Sequence, residues 1–167
     1  DFDSRGRTMK TVFFFFGLLW AQVGLATCGS PVSANEFYRH LSLGDAAFGN
    51  MDIQAFREEA MWVEEALPCL TDGLNAGQVT SLYRLQAWQA FVNEDEAGTT
   101  LFLMSLLTTS PDYELHDRVA PEGHPLRLYL EVAREMPTIP GVNLPSPRVG
   151  WIGIDGVQAS EVPSGRP

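Results

Sequence analysis

The chain has 167 residues, 45% hydrophobic and 19% charged, enough for one packed domain with appended segments and too apolar for a disordered chain. Its formal net charge is −10, and without residues 1–34 it keeps 8 basic against 19 acidic residues, about −11. Such a surface repels phosphate and argues against nucleic-acid binding. Two cysteines, Cys28 and Cys69, are too few for a disulfide framework or a cysteine-based zinc site.

Residues 1–34 read as a leader and signal peptide. Lys10, with Arg5 and Arg7 behind it, gives a basic start after Met9. Val12 to Trp20 (VFFFFGLLW) is the apolar block, and small residues follow. Val32-Ser33-Ala34 suits a signal peptidase cutting before Asn35, and Gly24-Leu25-Ala26 offers an earlier cut. The expected consequence is export, to the periplasm or the cell envelope. Cys69 reads first as a small buried hydrophobe. A bridge to Cys28 is the alternative if processing keeps Cys28.

Residues 35–136 read as a helical domain. Ser33 with Glu36 has capping-box spacing, and Phe37, Leu41, Gly44 and Phe48 follow on one helical face. Gly49-Asn50 closes that helix. Asp52 opens a second, with Ile53, Phe56, Ala60, Val63 and Leu67 as its stripe and Pro68 as its stop. Glu58, Glu59, Glu64 and Glu65 read as its wet side rather than as paired catalytic carboxylates. A turn over residues 71–77 leads to a third helix built on Val79, Leu82, Tyr83, Ala87, Ala90 and Phe91. Asn93-Glu94-Asp95 breaks it. Residues 97–109 carry no charge and are expected to form a buried helix, a buried strand being the alternative. Ser110-Pro111 ends that segment, and His124-Pro125 opens a shorter helix striped by Leu126, Leu130 and Ala133. Residues 137–148, with prolines at 137, 140, 145 and 147, read as a stiff linker. Residues 149–167 read as a short β-hairpin around Asp155-Gly156, the start of a small β-module in a chain that continues.

Two helical pairs, Phe37 to Pro68 and Val79 to Pro111, resemble the tetratricopeptide repeat, a helix-turn-helix unit of about 34 residues. Tyr83, Ala87, Ala90, Leu106 and Pro111 occupy positions where that repeat has large, small, small or aromatic, apolar and proline residues. Thr99 stands where alanine is typical, and the two prolines are 43 residues apart. Leu25-Ala26-Thr27-Cys28 resembles a bacterial lipobox, with Thr27 in place of the usual Gly, Ala or Ser, which marks Cys28 as a possible lipidation site. The ending VGWIGIDGVQASEVPSGRP resembles the start of small β-modules that follow such repeats in bacterial envelope proteins.

These resemblances imply a mainly α protein of helix-turn-helix repeats that binds a protein or peptide in the envelope. Tyr83, Trp88 and Trp62 are the candidates for a partner groove. No catalytic, cofactor or metal residues are expected, and no cofactor. One alternative is a structural subunit docking through its tail. The other is a metal-dependent enzyme using the His116–His124 loop, where Asp112, His116, Asp117, Glu122 and His124 cluster without a recognised ligand spacing.

Overall fold

A computed structural model describes residues 28–137 and four short strand segments beyond them. Five α-helices follow in chain order: α1 (Ala34–Gly49), α2 (Ile53–Ala66), α3 (Ala76–Val92), α4 (Glu96–Thr109) and α5 (Pro125–Glu135). A single 3-10 turn, Leu67–Cys69, sits between α2 and α3. Past Pro137, β1 (Val142–Asn143) pairs antiparallel with β4 (Glu161–Val162), and β2 (Gly153–Ile154) with β3 (Val157–Gln158). Residues 1–27, most of the proline linker, and Asp155-Gly156 lie outside the described residues, as do the signal segment and hairpin turn expected there.

Each helix begins where a side chain can take an orphaned N–H. Ser33 Oγ accepts from Glu36 N at 3.2 Å, and Asp52 Oδ1 from Ala55 N at 3.1 Å. Asn75 and Gln78 close a reciprocal capping box on α3. Asp95 Oδ1 accepts from Gly98 N at 2.9 Å to start α4. The uncharged segment 97–109 is a helix. Its hydroxyls turn onto their own backbone: Thr99 and Ser105, both buried, donate to Asp95 O and Leu101 O at 2.7 and 3.2 Å. Those bonds satisfy the polar groups that burial would otherwise orphan.

The α1–α2 and α3–α4 pairs are hairpins with the same turn. Asn50-Met51-Asp52 and Asn93-Glu94-Asp95 each place an Asn at the helix end, a left-handed residue next (φ 61° at Met51, 58° at Glu94) and a capping Asp third. Their backbone bonds correspond one for one, Asp52 N to Ala47 O and Asp95 N to Ala90 O both at 2.9 Å. The correspondence is a shift of 43 residues, which also carries α2 (Ile53–Ala66) onto α4 (Glu96–Thr109) and Pro68 onto Pro111. The chain therefore repeats one helical-hairpin geometry at that spacing. Its sequence trace is Ala-Phe-x-Asn-x-Asp, at residues 47–52 and again at 90–95.

The two hairpins share one core. Phe48 stacks on Trp88 with ring centroids 5.1 Å apart and meets Phe56 edge-on at 5.3 Å. Phe37, Leu41, Leu85, Leu103, Leu106 and Leu126 are fully buried around them. At Gly44 α1 comes close to α3, and a Cβ there would stand 2.5 Å from Leu85 Cδ1. α5 lies against α4.

The packed unit begins before residue 35, where the expected helical domain starts. Val32 is 7% exposed and forms a parallel bridge with Leu70. Cys69 is not the free buried hydrophobe first expected: it is disulfide-bonded to Cys28, with Cα atoms 5.3 Å apart. The reason is local. The 3-10 turn after Pro68 and the Val32–Leu70 bridge bring the strap 28–33 alongside residues 69–71, so the two cysteines face each other.

Candidate functional site

Of the three aromatic residues expected in a partner groove, Trp88 is unavailable. It is 1% exposed and sealed between the hairpins against Phe48, because its face of α3 is the face that meets α1. Trp62 is half-buried at the α1–α2 junction. Its ring stacks on His40 at 3.5 Å, and His40 Nδ1 lies 2.6 Å from Glu59 Oε2 while Nε2 faces Arg39 at 2.9 Å. That arrangement clamps α1 to α2. Tyr83 is half-buried on α3. None of the three lines either of the two grooves formed by the described residues.

One groove lies between α2 and the α3–α4 hairpin, about 270 Å³ in volume. Val63, Leu82, Leu85 and Phe102 make an apolar floor. Gln86, Gln89 and Asn93 put amides along it, and Glu64 and Asp95 put carboxylates on its lip, with no basic residue in the lining. Its volume falls just below the roughly 300–1,000 Å³ of small-molecule pockets. It has room for a side chain or two. A second depression of about 590 Å³ lies at the turn end of the hairpins, where Phe91, Pro125 and Tyr129 adjoin Glu94 and Glu96.

The His116–His124 loop is held by bonds that occupy both histidines. His116 Nδ1 accepts from Arg118 N at 3.1 Å, and His124 Nδ1 accepts from Leu126 N at 3.2 Å, capping α5. Burial, then the charge of Arg127, holds the His124 imidazole below its usual pKa, which keeps that acceptor lone pair free. Arg127 organises the loop: Nε donates to Ala120 O at 2.7 Å and Pro121 O at 3.2 Å, while its terminal nitrogen reaches Leu115 O and Asp117. Among the described residues no three His, Cys, Asp or Glu side chains converge as metal ligands.

One charged site went unread in the sequence. Asp45 on α1 takes a two-pronged bond from Arg84 on α3, with Arg84 Nε 3.0 Å from Asp45 Oδ1. Burial opposes the Arg84 charge, but Asp45 and then Tyr113 outweigh it and raise its pKa. The Tyr113 hydroxyl is itself raised, by burial first. Arg84 is the lone charge in α3, and that isolation was the available signal. The groove amides carried no comparable mark.

Compared with known proteins, the chain matches no family model, no curated protein and no solved structure.

Proposed function

We propose that this protein is a non-enzymatic protein-binding module of the bacterial cell envelope, a tetratricopeptide-like array that takes a basic or apolar peptide segment of a partner. One observation carries the reading: repeated hairpins frame a groove with an apolar floor, amide sides and an acidic lip. Stacked helical hairpins present grooves of this kind to extended peptides. Amides serve a peptide backbone, and carboxylates select against acidic segments. The 43-residue spacing, against about 34 in that repeat family, is absorbed by the nine residues 67–75, which hold the 3-10 turn and Cys69. The disulfide supports a compartment outside the cytoplasm. The export signal in residues 1–34 and the β-module in 149–167 belong to the same reading.

Site-specific photo-crosslinking in the envelope tests it. A crosslinker at Gln86 or Gln89 is expected to give a discrete protein adduct, and one at Glu58, outside the groove, is not. No adduct at the groove, or equal adducts at both places, overturns the proposal.

A second reading has its own observation. Leu128 and Val132 on α5 and Met136 at its C-cap are exposed, 61%, 41% and 40% accessible, four residues apart and leading into the tail. A structural subunit docked through its C-terminal part would cover that row. Crosslinks from Leu128 in place of Gln86 would favour it.

A further inference from the structure

We infer that the depression at the turn end of the hairpins seats a basic side chain of the bound segment, four residues along that segment from the apolar side chain held in the groove. The inference rests on the peptide-binding reading above and gives the bound segment a register.

The groove and the depression adjoin. Asp95 lines both, and α3 passes from Gln89 and Ala90 in the groove to Phe91 and Val92 in the depression. One side of α2 and the turn after it also runs along both. Ile53 and Arg57 line the depression, and Ala60, Glu64 and Leu67 the groove, at alternating steps of four and three residues. α2 therefore serves as a ruler. Its two stretches are centred about 8–9 residues apart, which at about 1.5 Å per residue is about 13 Å. An extended peptide advances about 3.3 Å per residue, so side chains four residues apart span that distance and point the same way.

The two ends differ in chemistry. The groove floor is apolar, whereas the depression has an aromatic corner and an acidic edge. Phe91 and Tyr129 have ring centroids 6.3 Å apart and planes inclined at 69°. Glu94, Asp95 and Glu96 line the edge in succession, against one guanidinium, that of Arg57. Among the described residues no ion pair joins Arg57 to those carboxylates. Asp95 is committed to the α4 cap through Oδ1, but Glu94 is exposed. Glu96 stands beside the Tyr129 hydroxyl, whose pKa is raised by burial and then by that carboxylate. Ring faces attract a cation lying within about 6 Å of their centroids, and carboxylates add charge-assisted hydrogen bonds. Three carboxylates against one guanidinium disfavour an acidic side chain. At about 590 Å³ the depression has room for a whole lysine or arginine side chain.

The experiment uses protein purified after expression of the full chain and follows its amide resonances while peptides are added. The probes are serine–alanine heptapeptides carrying one leucine and, four residues away, one arginine, made in both chain directions. Each has a counterpart in which neutral citrulline replaces arginine. In one direction the arginine peptide is expected to bind about tenfold more tightly than its counterpart and to shift amides in both the groove and the depression. That advantage should vanish when leucine and arginine are adjacent. Glu94→Gln with Glu96→Gln should abolish it. Glu58→Gln with Glu65→Gln, which removes the same charge outside both depressions, should leave it. Arginine and citrulline peptides bound alike, an advantage kept by adjacent residues, or equal losses in the two double variants overturns the inference and leaves peptide binding standing. Peptides that shift no amide of the groove overturn the peptide-binding reading, and the inference with it.

Discussion

Replacing both cysteines, Cys28→Ser with Cys69→Ser, isolates the strap. The bridge spans 41 residues of sequence. Closing a loop of that length in the unfolded chain removes about 13 cal/mol/K of entropy, which at 25 °C makes the bridge worth about 4 kcal/mol. A compact denatured state already surrenders part of that freedom, so a loss of about 2–4 kcal/mol is expected. Residues 28–137 have an unfolding entropy of about 230 cal/mol/K at about 2.1 cal/mol/K per residue. The expected fall in Tm is therefore about 9–17 °C. Thermal melts followed by circular dichroism, with and without dithiothreitol, measure it. Reductant should lower the wild-type Tm by about as much as the double substitution does, and should leave the variant unmoved. A variant that melts within about 2 °C of the wild type would refute the reasoning, because the strap would then contribute no cross-link to the folded unit.

The two equivalent turns make a paired test. Met51→Gly and Glu94→Gly each relieve a left-handed residue, and each is expected to raise stability by about 0.5–1 kcal/mol in denaturant melts. Gains of opposite sign would mean the turns are not equivalent. Arg127→Ala strips donors from the carbonyls of Leu115, Ala120 and Pro121 and is expected to cost about 2–3 kcal/mol in urea unfolding. The Asp117 ion pair adds little to that, since Asp117 is 89% exposed. His124 should give the domain a pH dependence. Its folded pKa is depressed, so its cap is intact above the unfolded value of about 6.5 and is lost as the pH falls through the folded pKa. His124→Asn keeps a capping acceptor without a titrating ring, so its stability should change less than the wild type's across that window. Parallel curves for the two proteins would remove His124 from the account.

Helix identity was readable wherever periodicity and a capping side chain agreed. Asp52 and Pro125 mark starts that the structure keeps, and the Val79–Phe91 stripe lies within α3. The uncharged 97–109 segment was ambiguous because its hydroxyls bond to their own helix and leave no polar face in the sequence pattern. The aromatic groove failed for a different reason. A tryptophan on a helix can face a neighbour or a partner, and only the α1–α3 crossing at Gly44 decides that Trp88 faces inward. The disulfide depended on a 3-10 turn and a lone parallel bridge, both non-local features. The repeated turn was visible as Ala-Phe-x-Asn-x-Asp. Its left-handed position is held by Met51 in one turn and Glu94 in the other, which share no chemistry, so the sequence marks the turn only through the flanking Asn and Asp.

The covalent loop from Cys28 to Cys69 encloses α1 and α2 and nothing of α3, α4 or α5. Whatever entropy it removes is removed from states in which the first hairpin is open. States in which only the second hairpin has opened gain nothing from it. Two hairpins of matching turn geometry thus become a tethered half and a releasable half, with unequal free energies of local opening. Amide exchange should be slower in α1–α2 than in α3–α4. The wall of the groove contributed by α3 and α4 is then the wall able to yield, while the wall contributed by α2 stays fixed.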